Sequence, residues 1–132
     1  MEAILSIDPI PMLYIEAEGG PMGARSAFHA LEHKFSSLKG RKFYGLIYDE
    51  GRKYLACTGI ISEAEPNLLG LPMVTLSGGK YVRVRIEGWS DKLGNIIPAF
   101  RDLAKRYAED TTRPRVEFYR SQKELFLMLP VR

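Results

Sequence analysis

The chain has 132 residues, 45% of them hydrophobic and 27% charged, which is the composition of a soluble globular domain and excludes collagen-like, coiled-coil and disordered classes. At this length folding buries roughly two-thirds of the surface of the unfolded chain, so neither disulfides nor a structural metal is required. The 19 Lys and Arg residues against 16 Asp and Glu give a net charge of only +3, and the signs alternate along the chain, so no direct binding to nucleic acid is expected. Cys57 stands alone, which rules out an internal disulfide and fits a reducing compartment. Residues 1–11 carry no basic leader with an apolar run, and no window approaches the roughly 18 apolar residues of a membrane span. The expectation is a cytoplasmic protein with no membrane contact.

Met12 to Glu18 alternates, with Leu13, Ile15 and Ala17 on one side and Tyr14, Glu16 and Glu18 on the other, and predicts a half-buried strand. Gly19, Gly20 and Pro21 end it. Phe28, Leu31, Phe35 and Leu38 follow at helical spacing, with Gly40 as a stop, and predict a helix over about 22 to 38. Lys42 to Tyr48 and Lys53 to Ile61 flank the turn Asp49-Glu50-Gly51 and predict a hairpin. The segment 62–79, with Pro66, Gly70, Pro72 and a Gly-Gly pair, reads as a connector. Val82, Val84 and Ile86 then alternate with charged neighbours, Gly88 ends that strand, and Ser90 is placed to cap a helix. The helix itself shows as the stripe Leu93, Ile96, Ile97, Phe100, Leu103, Ala104 and Tyr107. Arg115 to Arg120 and Glu124 to Val131 predict a closing hairpin.

A shift of about 69 residues lays Leu13, Ile15 and Ala17 on Val82, Val84 and Ile86, and Phe28, Leu31 and Leu38 on Ile97, Phe100 and Tyr107, while the hairpins match at about 71, so the pattern repeats even though the identities do not. The fold predicted is α+β: tandem βαββ units forming a curved antiparallel sheet, with both helices on one face and a ligand groove at the pseudo-twofold seam. One domain over 1–132 is expected, with halves over about 12–61 and 80–131 and a linker over 62–79.

In the last hairpin a four-residue connection pairs Glu117 with Met128 and Tyr119 with Phe126, and leaves Val116, Phe118, Leu125, Leu127 and Leu129 for the helix-covered core. In the first hairpin Tyr44, Leu46, Tyr48 and Tyr54 share the face opposite Ile47, Leu55 and Cys57. A sheet with one packed face should be polar on the other, yet this one carries aromatic residues around a single carboxylate. On the residues alone, that face is either an aromatic groove holding Glu117, with Trp89 as a wall, or a homodimer interface, or a mixed surface. A desolvated Glu117 beside aromatic rings would select flat, hydrophobic and often cationic molecules.

The chain also resembles the gyrase-inhibitor-like (GyrI-like) small-molecule-binding domains, which include effector-binding domains of multidrug-responsive transcription regulators. The resemblance covers nearly the whole chain. It rests on Leu71-Pro72-Met73-Val74-Thr75-Leu76-Ser77-Gly78-Gly79-Lys80-Tyr81-Val82, on Arg113-Pro114-Arg115-Val116-Glu117-Phe118-Tyr119, on Phe43 to Asp49, and on Glu124-Leu125 to Leu129-Pro130-Val131. It implies the duplicated fold and a central cavity in which Glu117 meets drug-like ligands among aromatic side chains. Many relatives carry a helix-turn-helix domain ahead of this one. Here about ten residues precede the first predicted strand, so no DNA-binding domain is expected and the chain resembles the stand-alone members. The roles implied are ligand sensing or sequestration, protection of a partner protein, and hydrolysis of cyclopropane-bearing alkylating compounds with Glu117 as acid or base.

The reading favoured is a binding module for an amphipathic, aromatic or cationic small molecule, without turnover. Its ligand residues are Glu117, Tyr119, Trp89, Tyr44, Tyr54, Phe126 and Met128, and no cofactor or metal is expected. A hydrolase and a protein-interaction module, including self-association, are the alternatives. His29-Ala30-Leu31-Glu32-His33 matches a zinc-protease spacing, but the core stripe puts both histidines toward solvent. Cys57 falls mid-strand and predicts a buried, inert thiol. Gly19 to Gly23 lacks the phosphate-loop lysine and reads as a turn. Arg83 and Arg85 are expected to pair with Glu87 and Glu16.

Overall fold

The computed structural model describes residues 2–132. In chain order the elements are β1 (Glu2–Ile7), β2 (Ile10–Glu16), α1 (Ala24–Glu32), β3 (Phe43–Tyr48), β4 (Lys53–Gly59), α2 (Glu65–Leu69), β5 (Met73–Leu76), β6 (Gly79–Glu87), α3 (Ile96–Arg106), β7 (Arg115–Tyr119) and β8 (Glu124–Pro130). The strands form one curled antiparallel sheet in the order β1-β6-β8-β7-β3-β4-β2-β5. The fold is α+β, and the repeat inferred from the pattern is built into it, because the order is symmetric about the β7-β3 boundary.

Each half is larger than a βαββ unit. β1 precedes β2 but pairs with β6, and β5 precedes β6 but pairs with β2, so the two halves exchange their first strands. Residues 2–7 and 73–76 were expected to be irregular and are strands. Ala3, Ile4, Leu5 and Ile7 put apolar groups on both faces, which hides the period of two, and β5 is too short to show one.

The helices are shorter than their stripes. α1 ends at Glu32 and tightens into bonds from Lys34 N–H to Leu31 O and from Phe35 N–H to Glu32 O, leaving Leu38 41% exposed instead of in the core. α3 starts at Ile96 rather than near Ser90, and Ser90 caps nothing there, because Pro98 has no N–H to give and fits only a first helical turn. Leu93 and Ile97, expected on the core stripe, are exposed in consequence.

α1 covers β2 and β4, and α3 covers β8, all on one face of the sheet. That face presents Leu13, Ala56, Val82, Leu125, Leu127 and Leu129 to Leu31 of α1 and to Phe100 and Leu103 of α3. The opposite, concave face is not the polar or ligand-lined surface expected. Curling packs it on itself, so that Met12, Leu46, Leu55, Cys57, Leu76, Tyr81, Val116 and Met128 form a second buried cluster.

Both hairpins depart by one residue from the expected register. Glu117 pairs with Leu127 and Tyr119 with Leu125, while Val116 pairs with Met128 and Phe118 with Phe126. In the first hairpin Ile47 pairs with Tyr54 and Leu46 with Leu55. A one-residue slip exchanges the faces of every side chain on a strand. Glu117 and Tyr119 therefore join the Leu-rich, helix-covered face, Tyr54 joins them there, and Tyr44, Phe126 and Met128 fall on the concave side.

Candidate functional site

Glu117 sits at the middle of the seam between the two helices. It is 6% exposed, and its register partner across β3 is Gly45, at the boundary between the halves. Its Oε1 accepts hydrogen bonds from the Tyr54 hydroxyl at 2.6 Å and from the Tyr119 hydroxyl at 2.8 Å. Gly45 makes this possible. A Cβ at that position would lie 1.9 Å from the Tyr54 hydroxyl oxygen and 2.8 Å from Glu117 Oε1, so any side chain there would displace the cluster.

Aromatic rings enclose the carboxyl group. Phe28 of α1 meets Tyr54, Tyr119 and Phe43 edge-on, with ring centroids 6.1, 5.4 and 6.4 Å away. Trp89 packs edge-on against Tyr119 at 5.0 Å, and its indole N–H donates to the Ser121 carbonyl at 3.1 Å. Phe28 thus roofs the seam from one helix, and Trp89 closes it from the turn that precedes the other.

Burial raises the pKa of Glu117 above the ordinary carboxylate value, and the two tyrosine hydroxyls, which favour the ionised form, offset part of that. Both tyrosines are pushed up in turn, by burial first and by the neighbouring Glu117 charge second. No ion pair to Glu117 occurs among the described residues. The site is a desolvated carboxyl group with hydrogen-bond donors but no counter-ion, which is an unusual state for a buried acid.

Of the seven residues expected at the site, Glu117, Tyr119, Tyr54 and Trp89 come together. Tyr44, Phe126 and Met128 do not. Tyr44 stacks on Phe118 at 4.7 Å across the concave face, Phe118 stacks on Phe126 at 6.1 Å, and Met128 is buried in the concave cluster. Phe28 and Gly45 belong to the site as well, although the helical stripe marks Phe28 only as a core position. The signal for Gly45 was available, since a glycine inside an aromatic strand marks a place where another group comes close.

The remaining motifs resolve simply. His29 on α1 and His33 just past its end are exposed, with His33 Nδ1 2.8 Å from the His29 carbonyl oxygen. No group of three or more His, Cys, Asp or Glu side chains among the described residues is placed to hold a metal ion. Cys57 is fully buried, and burial pushes its thiol pKa up. Arg85 pairs with Glu87 at 2.6 Å and with Glu124 at 3.0 Å, whereas Arg83 lies over the Phe126 ring at 4.4 Å. Neither reaches Glu16, because β2 and β6 lie in different halves of the sheet. No helix among the described residues is long and apolar enough to cross a membrane.

No protein-family model and no curated protein matches the chain. Solved structures do. The EcmrR C-terminal domain superposes with a TM-score of 0.75 at 11% identity, over 100% of this chain and 97% of that one. An integron cassette protein from the mobile metagenome of Vibrio cholerae gives 0.70 at 19% identity, over 99% of this chain and 95% of its own. The protein SAV2435, solved bound to tetraphenylphosphonium, gives 0.64 at 12% identity, over 100% and 94%. This chain shares their fold. The likeness spans nearly the full length of each and is one of architecture, since so few residues are identical.

Proposed function

We propose that this protein is a small-molecule-binding module that takes amphipathic aromatic cations into the seam around Glu117. The observation that carries the reading is the buried Glu117 carboxyl group, held by Tyr54 and Tyr119 inside a ring of aromatic side chains and lacking a protein counter-ion. A ligand supplies what the site lacks. Its charge replaces the missing counter-ion, and its rings exchange water for Phe28, Tyr119 and Trp89 at roughly 25 cal/mol per Å² of apolar surface buried. The fold shared with a protein solved bound to tetraphenylphosphonium supports the same chemistry.

The test is calorimetric titration with tetraphenylphosphonium and with a neutral ligand of similar size, triphenylphosphine oxide, against wild type and Glu117→Gln. The cation is expected to bind wild type and to weaken about 10-fold or more in the variant, because attraction between two charges several ångströms apart in a partly buried site is worth at least about 1.4 kcal/mol. The neutral ligand should change little. Cation affinity should also rise with pH as Glu117 ionises through its raised pKa, and should lose that dependence in Glu117→Gln. Recovery of the ligand unaltered separates holding from hydrolysis. Equal losses for both ligands, or no binding to wild type, would overturn the reading.

A further inference from the structure

The polar atoms of the seam differ sharply in how they are used. Tyr54 and Tyr119 both donate to the same oxygen of Glu117, Oε1. The Trp89 indole N–H is spent on the Ser121 carbonyl. Each phenol has one proton and the indole has one, so none of these three side chains keeps a donor for a ligand. Oε2 of Glu117 takes part in no hydrogen bond among the described residues, and no side-chain oxygen there is both sealed from solvent and without a partner, so Oε2 keeps an accessible edge. The phenol oxygens retain lone pairs. The seam therefore offers acceptors and aromatic surface and has no donor to offer in return.

Resting on the function proposed above, we infer that the site selects aromatic cations carrying an N–H, such as protonated amines and amidines, over quaternary cations of the same shape, with the N–H donating to Glu117 Oε2. A quaternary cation satisfies the charge and leaves the acceptor unfilled. An N–H cation satisfies both, and an anion or a ligand rich in acceptors satisfies neither. The same accounting explains why the two tyrosines converge on one oxygen. By occupying Oε1 they leave Oε2 as the one open oxygen of the carboxylate, which fixes where the donor meets the charge.

The test compares two flat tricyclic monocations, 9-aminoacridinium, which carries N–H donors, and 10-methylacridinium, which has none, by calorimetric titration at pH 7. Wild type is expected to bind 9-aminoacridinium about 10-fold more tightly, the size of one charge-assisted hydrogen bond. In Glu117→Gln the preference should collapse, since the amide places a donor where an acceptor stood. Circular dichroism of the variant guards against loss of the fold, and Tyr119→Phe, which removes one of the two donors to Oε1 but keeps the carboxylate, should retain the preference. Equal wild-type affinities for both cations, each weakened in Glu117→Gln, would overturn this inference and leave the cation site standing. Failure of both cations to bind would overturn this inference and the proposed function together.

Discussion

Gly45 and Glu117 are equivalent positions of the two halves, related by a shift of about 72 residues, and they face each other as register partners across β3 and β7. One has no side chain and the other a buried carboxyl group. The same shift matches Phe28 with Phe100, Leu31 with Leu103 and Ile47 with Tyr119. The helices therefore align at about 72, and the expected match of Phe28 with Ile97 and of Leu31 with Phe100 at a shift of about 69 does not hold. Leu125 stands where Tyr54 does, each pairing with one of the matched residues Ile47 and Tyr119. The apolar scaffold is thus kept in both halves, while every polar group of the seam occurs in one copy only. A strict duplicate would bring two carboxyl groups together at the centre of the sheet. Glycine at the matching position leaves the room that Glu117, with Tyr54, occupies.

The comparison breaks most visibly at the paired phenylalanines. Phe100 is 2% exposed under α3, and Phe100→Ala should cost about 3–5 kcal/mol in urea unfolding. Phe28, at the matching position, is half-buried and roofs the seam, so Phe28→Ala should cost less stability and weaken ligand binding more. Gly45→Ala should cost about 1–3 kcal/mol by overpacking and should uncouple Tyr54 from Glu117, whereas an alanine in place of an exposed glycine such as Gly94 should meet no such obstacle. Tyr54→Phe should cost roughly 1.5 kcal/mol through its lost hydrogen bond and raise the Glu117 pKa further.

The smallest effect is a pH dependence with a definite sign. Burial raises the folded-state pKa of Glu117, so between the unfolded value of 4.5 and that raised value the native state holds the proton more tightly. Stability from this group is present at low pH and is lost as pH rises through the window. Glu117→Gln should flatten that slope and melt higher than wild type at neutral pH, as thermal scans across the acid range would show.

Much of this scaffold was legible. Six of the eight strands, the two long helices and the repeat follow from alternation, from the 3.6-residue stripe and from the Gly and Pro punctuation. The register was not legible, because it lies in the turns. The first hairpin connects through Asp49, Glu50, Gly51 and also Arg52, with positive φ at the first three. The last is gathered by Ser121, whose Oγ accepts from the N–H groups of Lys123 and Glu124 while Arg120 N–H bonds to Glu124 O. The first turn is one residue longer than its three polar positions suggest, and the last is one residue shorter than the four-residue connection expected. That single residue decides whether Glu117 faces Phe126 and Met128 or faces Tyr54 and Phe28. Glu117 itself could be singled out from composition and neighbours, but its surroundings depended on backbone hydrogen bonds that no hydrophobic pattern encodes.

The most direct measurement is a carbon-13 NMR titration of the Glu117 carboxyl carbon, assigned by its absence in Glu117→Gln, with and without saturating 9-aminoacridinium. Without ligand the carboxyl should titrate above 4.5, and with ligand its pKa should fall, because a bound cation favours the ionised form. A ligand that binds and leaves that titration unchanged would contradict the account.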